Sequence, residues 1–149
     1  MINYRFANSS DIDSIYEFGK ATNEFTTSDE VVNFWPKNIL EKCIGAPDVL
    51  ICVAEEDREL LGFILVNLNI SLKKAEIENI VVKEPLRKTK IGSNLLKFAL
   101  AEAIKNDFEY ICHLSSDEVM HFFVKNGFNI GRKFTWMDFI AAEEYKKQN

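Results

Sequence analysis

The sequence predicts an α/β fold, a mixed and mostly antiparallel central sheet of about seven strands flanked by about four helices. Three observations carry this reading. Between Val49 and Val82, apolar runs rich in β-branched residues are joined by short polar connections, the pattern of antiparallel hairpins. Pro85 stops the last of these runs, a helical apolar pattern opens at Ile91, and a further strand-like run follows at Tyr110–Leu114; such a strand–helix–strand unit closes as a parallel, right-handed crossover. Finally, 149 residues with 47% hydrophobic and 28% charged side chains describe one globular domain. A chain of that size buries about two-thirds of the surface it exposes when unfolded.

In order, Ile2–Phe6 reads as a short strand. Asn8, Ser9, Ser10 and Asp11 supply helix-capping oxygens ahead of Ile12, Ile15, Tyr16 and Gly19, which recur at helical spacing. Ala21–Glu30 is polar. Ser28 is placed to cap a second helix carrying Val31, Val32, Phe34 and Trp35, and Pro36 either kinks that helix or opens a fresh one. Ile39, Leu40, Cys43 and Ile44 continue the stripe until Gly45 and Pro47. Val49–Ala54, Leu61–Asn69 and Ala75–Val82 are the three central strands, and Ile91–Lys105 is the longest helix. Ser115-Ser-Asp-Glu118 fits a capping box for a helix running to Lys125, with Gly127 just beyond its end. Phe128–Ile130 and Phe134–Ile140 are expected to close the domain as a hairpin. The expected domain is 1–140, with 141–149 as a tail.

Composition narrows the function. A net charge of −5 argues against a nucleic-acid partner, which calls for a basic face. The three cysteines, Cys43, Cys52 and Cys112, are far apart among apolar neighbours, and no metal-ligand spacing occurs, so no metal is expected. Met1–Phe6 carries no signal-peptide core, and no apolar run approaches the ~18 residues of a membrane span. A cytoplasmic protein with no membrane partner is expected.

Against this acidic background, residues 83–90 carry Lys83, Arg87, Lys88 and Lys90 against a single Glu84. Three of those cations precede the helix at Ile91, where the positive end of the helix dipole makes each cost about 0.3–1 kcal/mol. An anion seated on the helix N-terminus removes the conflict, so a phosphate-bearing small ligand is the natural reading. The glycine-rich nucleotide signatures GxGxxG and GxxxxGK[ST] are both missing.

At this point the residues resemble the GNAT superfamily of acyl-CoA N-acyltransferases. Its pyrophosphate motif, Arg/Gln-x-x-Gly-x-Gly/Ala, is matched by Arg87-Lys-Thr-Lys-Ile-Gly92, followed by Ser93-x-Leu-Leu96 and preceded by Val82-x-x-Pro85. Its second landmark is matched by Phe122-Phe-Val-Lys-Asn-Gly-Phe128. Two positions depart from the pattern. Lys90 stands where the motif has its first glycine, on the expectation that a helix-terminal residue has ordinary φ and ψ and tolerates a side chain. Phe123 stands where many members place a tyrosine that protonates the departing thiolate, and it has no proton to give.

The resemblance implies acetyl transfer from acetyl-CoA to a primary amine by direct attack in a ternary complex. It implies that backbone groups at Ile80, Val81 and Val82 bind the pantetheine arm and polarise the carbonyl. It also implies that Arg87, Lys88, Thr89, Lys90, Ile91, Gly92 and Ser93 hold the pyrophosphate, with Ser116 and Phe123 completing the cofactor contacts. Glu76 and Glu78, two apart on a strand and therefore on one face, are the candidate general bases, with His113 behind them. Phe25 and Trp35 are candidate acceptor contacts, joined by Phe34 and Trp136. The acceptor is a small-molecule or peptide amine of unread identity, and homodimerisation, common in the family, stays open. The alternative is a CoA-binding sensor of the same fold that has lost turnover, consistent with Phe123 and Lys90.

Overall fold

The computed structural model describes residues 1–22, 26–28, 31–32, 34–133 and 135. They form two compact units, Met1–Ser115 and Ser116–Asn149. The first holds strand β1 (Asn3–Phe6), helix α1 (Ile12–Lys20), β2 (Thr26–Ser28), β3 (Val31–Val32), α2 (Lys37–Cys43), β4 (Val49–Glu56), β5 (Glu59–Asn69), β6 (Lys74–Val82), α3 (Ile91–Lys105) and β7 (Tyr110–His113). The second contains α4 (Asp117–Lys125).

The central sheet has five strands in the order β1-β4-β5-β6-β7, fewer than the expected count of about seven. It is mixed: β1 to β6 pair antiparallel, and β7 runs parallel to β6 as the crossover through α3 requires. Phe128–Ile130 is not a strand, and of Phe134–Ile140 only Thr135 lies within the described residues. The region read as the start of a second helix is instead a small antiparallel ribbon of β2 and β3, separate from the sheet. Val31 and Val32 follow β-branched preference here. The helix itself begins after Pro36, whose φ of −61° and ψ of 149° make it the flanking residue rather than a kink. Among the described residues, no helix is long and apolar enough to cross a membrane.

Period-two alternation divides the sheet side chains between two faces. On one, Ile51, Val53, Phe63, Leu65 and Val81 pack with Ile12, Ile15, Leu40 and Cys43 of α1 and α2. On the other, Cys52, Ile64, Val66, Ala75 and Ile77 are buried beneath α3, which contributes Ile91, Leu95, Leu96, Ala99 and Ala103. Gly62 lets β5 and β6 approach, because a Cβ there would stand 2.6 Å from Val81 O. The β4–β5 hairpin turns on Asp57 and Arg58, both at positive φ, as a tight two-residue turn demands.

A charge cluster ties the chain start to this frame. Asn8 accepts from the Ser10 N–H at 2.9 Å and Asp11 accepts from the Asn8 N–H at 2.8 Å, so the expected capping oxygens form a capping box around a short 3₁₀ turn ahead of α1. Asp11, only 8% exposed, also accepts from Arg5 at 2.7 and 2.9 Å, and Arg5 reaches Glu55 of β4 with the same group. Burial pushes the Asp11 carboxyl up, but bonds from Arg5 and the Asn8 N–H outweigh it and hold it below the ordinary range. A depressed carboxyl contributes stability above its unfolded pKa of about 3.9 and loses it as pH falls through the folded value. Arg5→Met strands a buried carboxylate and is expected to cost about 1–3 kcal/mol in urea unfolding at neutral pH. The deficit should shrink in acid, where wild type has also lost the bond; a deficit independent of pH would contradict this account.

Candidate functional site

Strand β6 carries two ladders of different length. On its β5 side it pairs to Val82, with one irregularity: Leu65 faces Asn79 and Val66 faces Ile77, so Glu78 is an extra, bulged residue. On its β7 side it pairs only from Lys74 to Ile77. From Glu78 to Val82 that edge, which includes the candidate positions Ile80, Val81 and Val82, has no strand beside it among the described residues. The two strands therefore part like a fork whose vertex lies at Ile77 and His113.

The bulge determines what gathers on the α1/α2 face. Asn67 faces Glu76 in register and donates to Glu78 at 2.7 Å, so both carboxylates share one neighbour. The bulge, and not alternation alone, arranges this. Glu76 is paired with Lys74 at 3.0 Å, whereas exposed Glu78 has no cation partner among the described residues. Beside the bulge, buried Asn79 accepts from the Trp35 indole at 3.0 Å, bringing the candidate acceptor contact from α2's flank to β6. A shallow cavity of about 320 Å³ opens next to Glu76, with Asp48, Asn67 and Asn69 in its lining. Phe25 and Trp136 lie outside the described residues.

At the far end of β6 the chain passes through a 3₁₀ turn, Glu84–Leu86, into residues 87–90 and α3. Lys88 and Lys90 adopt left-handed conformations, with φ of 68° and 73°. The expectation that Lys90 has ordinary helical geometry is wrong. It is the flanking residue of the helix, not its first turn, and its φ is the one glycine adopts without strain. The Lys90 side chain does not cap α3, no other described residue's side chain does so, and the N–H groups of Ile91, Gly92 and Ser93 precede any intrahelical acceptor. Arg87 turns back to donate to Val82 O at 3.3 Å, and Thr89 donates to Leu86 O. Lys83 pairs with Glu59, whereas Lys88 and Lys90 are exposed and have no carboxylate partner among the described residues. Of four sequence cations in this loop, Lys83 is thus engaged elsewhere.

In the second unit, Ser116 flanks α4 in an extended conformation without a side-chain capping bond, so the predicted capping box does not form. Gly127 ends α4 at a φ of 96°, as its position in the sequence indicates. Phe123 is buried against Phe122 and Phe128, with ring centroids 5.2 Å apart in both pairs.

His113, the last residue of β7, is half-buried and its Nδ1 lies 2.7 Å from Ile77 O. Since a carbonyl only accepts, Nδ1 carries the proton. Burial pushes the imidazole pKa down, which keeps the ring neutral at physiological pH. Sequence reasoning weighed His113 only as a spare base and passed over Asn67 and Asn79, whose partners lie 11 and 44 residues away. Burial pushes the Cys52 thiol up to about 12, and the Cys43 and Cys112 thiols are raised for the same reason. None of the three is a poised nucleophile.

Comparison with known proteins adds the family. The profile of the Acetyltransferase (GNAT) family matches residues 12–128. Among solved structures, the chain is similar to a predicted acetyltransferase with acetyl-CoA from Clostridium acetobutylicum, at 19% identity and a TM-score of 0.76, covering 96% of this chain and 98% of that one. It is also similar to the PaiA N-acetyltransferase of Thermoplasma acidophilum in complex with coenzyme A, at 24% identity and a TM-score of 0.77, covering 90% and 93%. A third is glucosamine-6-phosphate N-acetyltransferase from Arabidopsis thaliana, at 19% identity and a TM-score of 0.70, covering 95% and 99%. No curated protein matches by sequence. At these identities the structural likeness is one of fold.

Left-handed lysine costs about 1–2 kcal/mol that glycine avoids, less the extra chain entropy glycine loses on folding. Lys90→Gly is therefore expected to stabilise the ligand-free protein by about 1 kcal/mol in urea unfolding. A variant no more stable than wild type would show that residue 90 stores no strain.

Proposed function

The chain belongs to the GNAT acetyltransferase family, and on that premise we propose that it transfers an acetyl group from acetyl-CoA to a primary amine, within one domain over 1–140. The family profile spans both compact units, which supports treating them as one functional domain. The observation that carries the reading is the loop ahead of α3: first-turn N–H groups with no acceptor among the described residues and basic side chains converge at the end of a strand whose other edge has no strand beside it among those residues. Successive N–H groups in a turn with left-handed residues form a concavity suited to an anion. Arg87, Lys88 and Lys90 add charge, and Thr89, Ile91, Gly92 and Ser93 add donors, for a diphosphate. The donor set fits the cofactor, which supplies a thioester already activated for acyl transfer.

This chain's part in the reaction follows from its geometry. Edge groups of Ile80, Val81 and Val82 orient the pantetheine arm and offer an N–H to the thioester carbonyl, where such a donor is worth about 2.7–4 kcal/mol. The acceptor approaches from the α1/α2 face, between Trp35 and the carboxylates. Glu78, held by a neutral amide rather than a cation, takes the ammonium proton through a water, and Glu76 stays with Lys74. Nitrogen attacks the carbonyl carbon, the C–S bond breaks, the thiolate leaves with its electron pair, and the proton the nitrogen then sheds passes through solvent to that thiolate, giving the amide and the free thiol. A thiol of this kind has a pKa of about 8.5, so departure does not demand an acid at Phe123.

A CoA-binding sensor is the second reading, favoured by one observation: the position of the usual acid holds a buried phenylalanine. Incubating the protein with acetyl-CoA and a panel of amines separates the two, because a sensor binds the cofactor and releases no thiol. Combining Arg87→Ala with Lys90→Gly removes two charges without adding strain. It is expected to weaken acetyl-CoA binding by about tenfold to a hundredfold in calorimetry; unchanged affinity would remove the phosphate site. Glu78→Gln should lower kcat/KM by about a hundredfold near neutrality and recover toward alkaline pH, where free amine is abundant. Glu76→Gln should change it little. Equal effects of the two substitutions would refute the assignment of the base.

A further inference from the structure

The parallel pairing of β6 and β7 ends where a side chain stands in the place of a backbone donor. At the start of that ladder the Tyr110 N–H donates to Lys73 O at 3.3 Å. Advancing four residues along both strands, two repeats of a parallel ladder, brings the Leu114 N–H to Ile77 O. That bond is not made. Leu114 lies outside the strand and is 57% exposed, and Ile77 O accepts from His113 Nδ1 at 2.7 Å instead. Ile77 is also the last residue of β6 with a β7 partner, and the next residue is the bulge.

We propose that His113 is a positioning residue for acyl transfer: by occupying Ile77 O it stops the ladder there and holds β6 and β7 apart over 78–82. This rests on the acetyl-CoA reading, since the opened edge is where the pantetheine arm is placed. Were the Leu114 N–H to take Ile77 O, the strands would run on at the ordinary ladder spacing of about 4.8 Å, which leaves no room for a ligand chain between them. The imidazole does what the backbone would do for Ile77 O, but it ends the register. It therefore satisfies a half-buried carbonyl and opens the fork with one bond.

Two substitutions separate the donor from the ring. His113→Phe keeps an aromatic ring and loses the donor, and His113→Asn places an amide N–H where the imidazole Nδ1 stood. In ligand-free protein, amide hydrogen exchange at Leu114 should slow about tenfold in His113→Phe, as that N–H finds Ile77 O, and should match wild type in His113→Asn. Acetyl-CoA affinity should fall about three- to tenfold in His113→Phe and be restored by asparagine. Leu114 exchange that is identical in wild type and His113→Phe overturns the proposal, and so does an affinity loss that asparagine fails to restore. If His113→Phe does not fold, His113→Leu, which also lacks a donor, carries the same comparison. The exchange measurement uses no ligand, so a wild-type protein that failed to bind acetyl-CoA would sink the proposed function while Leu114 exchange still decided the ladder.

Discussion

Strand β6 must satisfy two neighbours at once, and the way it fails one of them organises everything around it. Its antiparallel bond to β5 continues to Val82, at the cost of one bulged residue, while its parallel bond to β7 stops at Ile77. A fully paired strand would be inert interior. A strand with five residues that lack a strand neighbour among the described residues, anchored firmly along its other side, holds backbone groups in fixed positions suited to a ligand. The bulge shifts register at the same place, so carboxylates and amides converge on one face while the backbone opens at the edge.

The loop after β6 shows the same trade in torsion angles and charge. Lys88 and Lys90 sit where glycine is comfortable, and strain of about 1–2 kcal/mol each is retained in a protein whose net stability is of the order of ten. Their side chains stay exposed and find no carboxylate among the described residues, although the chain carries more acids than bases. Strain and unpaired like charges at one helix terminus are hard to explain as structure alone. They are consistent with an anion that returns both costs when it binds.

Much of this was legible in the chain because it rests on local pattern. Ile91–Lys105 was read with the boundaries the structure has, since its apolar period and its preceding proline are strong signals. The β4–β6 hairpins were equally clear from their polar connections. What escaped depends on partners distant in sequence. Val31 and Val32 fit a helical stripe and a β-ribbon alike, and only their pairing with Thr26–Ser28 decides. The bulge at Glu78 follows from how β5 and β6 register against each other, which no period within β6 announces. At position 90 lysine carries no sign of positive φ; the motif's missing glycine is the clue, and only the backbone shows that the position asks for it. His113 looked like an isolated titratable residue, since its bond to Ile77 spans 36 positions.

Cys52 lies wholly inaccessible in the middle of the sheet beneath α3, with its thiol proton held far above neutral pH. A thiol-modifying reagent can reach it only when α3 lifts from the sheet or β4 itself comes away. The residue is thus a natural clock for the opening of the protein's interior: its rate of labelling, with and without bound cofactor, converts directly into how tightly a ligand at the fork's edge locks the distant centre of the molecule.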